Sequence, residues 1–414
     1  MKATQIMPDF LEAHYNLGLI YANQGKMGEA AREFGEVVRI NPDFEGIYML
    51  LATAHKEAGN INEAVMALQG GLKKEPDNLI MRKALAALQV ANRMDDEAVK
   101  NLEIVIDADP IDFSSRLDLA LLYQRGNRLE EAAEQYEIVS KEEPGNYAAR
   151  YNNALIYLKQ RNYAQAALKL EEADRIRPGN PDLLEKLGDA YAGQQSMEKA
   201  AATYARAVEL DPNSETLYTK LGFSLANMNR IEDAVDSLQN AARLQTKNSD
   251  VFYLLGDLYT ELKRTDEAIA AYTKSLELKP DQKEVRYNLG TLYGEQERFE
   301  EALEELKKAA QLDPDYYSAW VNIARVSEKL ENNAEALHAH ERIVALGKGS
   351  AANYFHLGVL YIKAEKPEKS IESFAKAIDL EPETYRELLL QELKKAHSVL
   401  EPIRYKDEFT RILE

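Results

Sequence analysis

Hydrophobic and small residues return in the same order every 34 residues along this chain, eleven times from Leu11 to Thr384, with no insertion or deletion. Position seven of the repeat is Leu or Ile in every copy except at Asn153, and position eight is always Gly or Ala, from Gly18 to Gly358. Position eleven is Tyr in seven copies, position twenty is Ala in ten and Ser370 in the last, and position thirty-two is Pro in nine. Positions seven, eight and eleven fall on one stripe of an α-helix, and positions twenty and twenty-four (Phe34, Tyr136, Tyr204, Tyr272, Phe374) form the stripe of a second. The pattern therefore predicts an all-α array of helix pairs, each repeat contacting only its neighbours.

Each residue type has a physical reason. Gly or Ala at position eight is expected to face Ala at position twenty, so that two helices approach closely; a larger side chain there overpacks the contact at a cost of about 1–3 kcal/mol. Proline at position thirty-two ends the second helix, because it lacks an N–H and disfavours helix in the residue before it. The short polar residues around it, as in Asn41-Pro42-Asp43 and Asp313-Pro314-Asp315, suit a turn and are expected to cap the next helix. Pro181 and Pro367 fall at expected helix starts. Two joints lack the proline: Leu244-Gln245-Thr246-Lys247-Asn248, and Leu346-Gly347-Lys348-Gly349-Ser350, which reads as the looser linker with Ser350 as N-cap.

The run of Leu, Gly/Ala, Tyr, Ala, aromatic and Pro, as in Tyr218-Thr219-Lys220-Leu221-Gly222 and Trp320-Val321-Asn322-Ile323-Ala324, resembles the tetratricopeptide repeat over residues 11–384. The resemblance implies a right-handed superhelical solenoid of antiparallel helix pairs, with the first helix of each pair lining a concave channel that binds proteins or peptides. Residues 1–10 then read as the remnant of a preceding repeat helix, implying lost upstream sequence, and residues 385–414 as C-terminal capping helices.

Charge and composition narrow the partners. The net charge of −19 argues against nucleic acid, which needs clustered Lys and Arg, and no apolar run is long enough to insert in a membrane. Absence of cysteine excludes disulfides and thiolate metal sites and fits cytoplasm and periplasm alike. The compartment stays unassigned, cytoplasmic by default and periplasmic if a signal segment preceded Met1. The chain is expected to be a monomer or weakly self-associating.

No constellation for catalysis, cofactor or metal stands out. The segment Gly347–Ser350 lacks the phosphate-loop pattern, His14, His55 and His340 occupy packing positions, and His338 and His340 point to different helix faces. The expectation is a non-enzymatic scaffold with no cofactor. The alternatives are the targeting array of a larger enzyme of glycosyltransferase type, or an envelope assembly adaptor.

By the resemblance, positions two, five, six, nine, twelve and thirteen face the channel. In repeats three to five these are largely apolar: Ile80, Ala87, Val90, Leu117, Leu121, Tyr151, Leu155 and Leu158. Repeats six, eight and nine are acidic: Asp182, Glu185, Asp189, Asp250, Tyr253, Asp257, Glu261, Glu284, Tyr287 and Glu295. Carboxylates beside tyrosines suit a basic, extended segment through charge-assisted hydrogen bonds and cation–π contacts. Asparagine at position six contacts peptide backbone in some tetratricopeptide proteins, and Asn16, Asn152, Asn288 and Asn322 match it. Only Asn288 and Asn322 are adjacent, so that ladder is broken. The residues expected to bind a partner are Tyr253, Asp257, Glu261, Tyr287, Asn288, Glu295, Asn322, Tyr151, Asn152 and Leu155.

Overall fold

The computed structural model describes residue 7, residues 9–395 and residues 411–412. Among the described residues there are 23 helices and no strand. The chain divides into two compact blocks, Met1–Leu210 and Asp211–Glu414. The first holds α1 (Leu11–Asn23), α2 (Met27–Ile40), α3 (Ile47–Glu57), α4 (Ile61–Lys74), α5 (Leu79–Ala91), α6 (Asp95–Ala108), α7 (Phe113–Arg125), α8 (Leu129–Glu142), α9 (Tyr147–Lys159), α10 (Tyr163–Ile176), α11 (Pro181–Gly193) and α12 (Met197–Leu210). The second holds α13 (Glu215–Asn227), α14 (Ile231–Arg243), α15 (Ser249–Glu261), α16 (Thr265–Leu278), α17 (Lys283–Glu295), α18 (Phe299–Leu312), α19 (Tyr317–Lys329), α20 (Asn333–Ala345), α21 (Ala351–Lys363), α22 (Pro367–Leu380) and α23 (Pro382–Lys395). Within each block, every odd-numbered helix of the repeats packs on the even-numbered helix after it, and that helix packs on the next odd one. This is the tandem helix-pair solenoid that the period implies.

The core runs along the seam between the two helices of each repeat. Ala at position twenty is fully buried, and so are the rings of Phe34, Tyr136, Tyr272 and Phe374 at position twenty-four, each ring contributing about 1.5–3 kcal/mol. The small residue at position eight serves that ring rather than the alanine methyl. A Cβ added at Gly18 would lie 2.6 Å from the Phe34 ring, one at Gly358 2.7 Å from Phe374, and one at Gly256 would run into Tyr272. At Gly290 the position-twenty backbone also approaches, with Ala302 O 3.1 Å away. Asn153, the one polar residue at position seven, is fully buried, and its Nδ2 donates to Glu137 Oε2 at 3.1 Å.

One recurrent feature has no residue signature. Position fifteen is left-handed in all eleven repeats: at Gly25, Gly59, Arg93, Asn127, Arg161, Gln195, Asn229, Lys263, Glu297, Glu331 and Glu365. The next N–H then reaches back to the carbonyl of position eleven, as in Arg264 N to Tyr259 O at 2.8 Å and Arg128 N to Tyr123 O at 2.8 Å. This closes the first helix with the six-to-one bond of a Schellman turn. The guanidinium at position sixteen lies over the tyrosine ring at position eleven, 4.1 Å away for Arg128 on Tyr123 and 4.3 Å for Arg298 on Tyr293. The hydroxyl of that tyrosine ties the preceding repeat, donating from Tyr123 to Glu103 and from Tyr361 to Glu341 at 2.7 Å.

Helix starts differ in one detail from expectation. Where a side chain caps a first helix it is the residue at position thirty-four, as in Asn78, Asp112, Asn146, Asn180, Ser214 and Asn248, which accept from first-turn N–H groups. The residue before the proline instead closes the turn itself: Asn41 Oδ1 accepts from Asp43 N at 3.0 Å, and Asp313 Oδ1 from Asp315 N at 3.0 Å. The two joints without proline end their second helices with a left-handed residue, Gln245 and Gly347. The Gly347 joint is a closed turn rather than a loose linker: Gly347 N donates to Val344 O at 2.9 Å and Ser350 opens α21 with a full capping box. The helix expected from Tyr385 begins earlier, at Pro382. The expected remnant helix of residues 1–10 and the tail beyond residue 395 fall largely outside the described residues.

Candidate functional site

In the second block, α15 carries Tyr253, Asp257 and Glu261 one helical turn apart, and α17 carries Tyr287, Asn288 and Glu295. Tyr272 of α16, buried between them, donates its hydroxyl to Asp257 Oδ1 at 2.6 Å. Asn288 Nδ2 donates to the same oxygen at 3.3 Å and stands 3.5 Å from the Tyr272 hydroxyl. The Tyr253 ring tilts against Tyr272 at 6.3 Å. Asp257, Thr260, Tyr272, Tyr287, Asn288, Thr291, Leu292 and Glu295 line one cavity of about 210 Å³. Burial pushes the Asp257 carboxyl above the usual range, and the hydrogen bonds from Tyr272, Asn288 and Tyr253 oppose that shift. Burial also raises the Tyr253 phenol, with the Asp257 charge adding to it. No salt bridge to Asp257 occurs among the described residues, so its charge is held by neutral donors.

The structure brings together five of the residues expected from the sequence, Tyr253, Asp257, Tyr287, Asn288 and Glu295, within two successive repeats. Glu261 is exposed and stands outside the cavity. Asn322 is buried and its Nδ2 donates to Thr291 Oγ1 at 3.1 Å. Asn288 and Asn322 therefore tie neighbouring first helices to each other, a role that the expected backbone ladder did not include. In the first block, Asn152 of α9 hydrogen-bonds the Tyr136 hydroxyl of α8, tying a first helix to the second helix of the preceding repeat. Tyr272, Thr260 and Thr291 were missed. The recurrence of Asp at position nine with Tyr at position twenty-four, in Asp189/Tyr204 and Asp257/Tyr272, is the signal that identifies the buried ring.

The apolar stretch of the first block has a different character. Ile80 is 70% exposed and Leu121 46%, while Leu117, Tyr151, Leu155 and Leu158 are half-buried. Tyr151 stacks on Tyr147 with ring centroids 5.6 Å apart and planes 9° from parallel. In repeat six, Tyr204 donates to Asp189 Oδ1 at 2.7 Å, and Lys186 Nζ lies 4.0 Å from Asp189 Oδ2.

A second polar cluster lies between repeats ten and eleven of the second block. Burial alone would raise the Glu328 carboxyl, but hydrogen bonds from His340 and His356 outweigh it and hold it at about 2. The hydrogen bond to Glu328 in turn raises His356, against burial. The histidine at position twenty-four packs as expected, since His340 is buried.

Family models for the tetratricopeptide repeat match residues 21–88, 117–181, 284–316 and 351–384, and a TPR repeat model matches 188–229 and 256–297. These matches follow the helix pairs along both blocks. The chain belongs to the tetratricopeptide repeat family. Among solved structures, this tetratricopeptide repeat protein is similar to MamA at 27% identity, over 38% of this chain and 92% of that one, with a TM-score of 0.37. It is similar to YrrB, a TPR protein with an unusual peptide-binding site, at 22% identity over 53% of this chain and 95% of that one, with a TM-score of 0.35. A tetratricopeptide repeat protein from Parabacteroides merdae ATCC 43184 shares 17% identity over 60% of this chain and 98% of that one, with a TM-score of 0.39. No curated protein matches the chain. No described helix is long and apolar enough to cross a membrane.

Proposed function

We propose that this protein is a non-enzymatic interaction scaffold whose eighth and ninth repeats bind an extended segment carrying a basic side chain. The observation that carries this reading is Asp257. Its carboxylate is half-buried beside a cavity of about 210 Å³, held by Tyr272 and Asn288 and, among the described residues, matched by no cation. A lysine or arginine entering that cavity would meet Asp257, the exposed Glu295 and the Tyr287 ring, with Tyr253 beside Asp257. A charge-assisted hydrogen bond in such a setting contributes about 1.5–3 kcal/mol, and cation–π contact adds about 0.5–2 kcal/mol.

The test is an array of extended hexapeptides with one lysine scanned along each, paired with copies in which that lysine is acetylated. The expected result is selection of the charged peptides by the parent and loss of that selection by Asp257→Asn. Selection of apolar peptides, indifferent to acetylation, would overturn the reading. It would favour a second surface, which rests on the exposed Ile80 and Leu121 of the first block.

A further inference from the structure

We propose that Glu328, His340 and His356 form a binding site for a divalent transition metal of the zinc class, between the tenth and eleventh repeats. Glu328 stands at position twelve on α19, His340 at position twenty-four on α20 and His356 at position six on α21. Glu328 Oε1 is 3.0 Å from His340 Nε2 and 2.9 Å from His356 Nδ1. The two imidazoles stack 5.1 Å apart and 6° from parallel, so each turns a nitrogen toward the same carboxylate oxygen. One ligand atom from each residue lies within 4.8 Å of the other two. Zinc takes nitrogen and oxygen ligands at about 2.0–2.2 Å in a tetrahedron, which sets neighbouring ligand atoms about 3.3 Å apart. The two observed nitrogen–oxygen separations are already close to that edge. Two imidazoles and a carboxylate suit zinc better than magnesium or calcium, which prefer all-oxygen shells. A cleft of about 390 Å³, lined by Glu328, Glu331, Asn333, His356 and Lys363, leaves room for water as the fourth ligand.

The surroundings of His340 set the strength of this site. Asn353 Oδ1 accepts from Ser350 N at 3.0 Å and from Ser350 Oγ at 2.8 Å, as part of the cap of α21. That orientation turns Asn353 Nδ2 toward His340 Nδ1, 3.3 Å away. A donor facing Nδ1 makes that nitrogen the acceptor and leaves the ring proton on Nε2, pointing at Glu328. A metal needs Nε2 bare and the proton on Nδ1, where a ligating histidine usually finds an acceptor. Asn353 therefore weakens the site, because binding requires the ring proton to change sides. Asn353→Asp supplies two acceptor oxygens, one for the Ser350 cap and one for Nδ1–H.

The experiment is calorimetric titration of zinc ions alone into the full, untagged chain at neutral pH, with far-ultraviolet circular dichroism to confirm that each variant stays helical. The parent is expected to bind one zinc ion per chain. His356→Gln removes an exposed ligand and is expected to weaken that binding at least tenfold. Asn353→Asp is expected to tighten it by about 10–100-fold, the range usual for groups that hydrogen-bond the far nitrogen of a ligating histidine. Zinc binding absent from both the parent and Asn353→Asp, or unchanged by His356→Gln, would overturn the site. Binding that Asn353→Asp leaves unaltered would overturn the assigned role of Asn353.

Discussion

Asp189 and Asp257 occupy the same position two repeats apart, and a buried tyrosine hydroxyl donates to each, at 2.7 and 2.6 Å. Their remaining neighbours differ. Lys186, one turn back on the same helix, stands 4.0 Å from Asp189. Asp257 has Tyr253 one turn back and Asn288 across the repeat boundary, both neutral. Identical scaffolding thus presents one carboxylate with a cation at hand and one that, among the described residues, has none. A repeat array varies its binding surface in this way, by changing the residues around a fixed internal hydrogen bond.

The largest effect should come from Gly256→Leu, which drives a side chain into the Tyr272 ring. We expect a loss of about 1–3 kcal/mol in denaturant unfolding, together with loss of basic-peptide selection, since the ring carries the donor to Asp257. Gly188→Leu meets Tyr204 in the same way, so a thermal curve unchanged in both would break the assigned packing. Next comes Tyr272→Phe, which strips the half-buried Asp257 of its shortest hydrogen bond and should cost about 1–2 kcal/mol. Tyr204→Phe should cost less, because the Lys186 ammonium still stands 4.0 Å from Asp189; equal losses would erase the distinction between the two sites. Asp257→Asn should weaken a lysine-bearing peptide about tenfold in fluorescence anisotropy, equivalent to about 1.4 kcal/mol, whereas Asp189→Asn should leave it unaltered.

The smallest effect is a pH dependence. The folded carboxyl of Asp257 titrates above its unfolded value, mainly through burial. Its charged form therefore opposes folding above the folded pKa. That cost disappears as pH falls through the folded pKa toward the unfolded value near 3.9. Peptide affinity should move the opposite way, declining over the same acid range as the carboxylate is neutralised. In Asp257→Asn, the part of both trends due to this group should vanish.

Much of this was legible in the sequence, because the repeat averages over its own exceptions. Eleven copies of the same stripe placed the helices, and the family resemblance put Asp257, Tyr287 and Glu295 in the channel of repeats eight and nine. What escaped lies where one residue acts through another repeat. Tyr272 reads as core until its hydroxyl is seen to reach position nine. Asn322 reads as a channel residue until Thr291 is found beside it. Glu328, His340 and His356 sit at three different positions of two repeats, so no spacing rule collects them. The left-handed residue at position fifteen is invisible for another reason: glycine marks it only at Gly25 and Gly59. Elsewhere Arg, Asn, Gln, Lys or Glu accepts a conformation that costs about 1–2 kcal/mol in a non-glycine residue, and the flanking helices impose it.

The turn at position fifteen and the cap at position thirty-four make the array a set of interchangeable parts. Every repeat ends its own first helix, and the second to seventh repeats and the tenth supply a side-chain cap for their successor's first helix. Excising residues 113–146 would bring Asp112 directly before Tyr147, where it would cap α9 as it now caps α7. Gains and losses of whole 34-residue segments by gene recombination would therefore conserve phase, while shorter insertions would strand a cap. The chain's unbroken period is what such a history would leave behind.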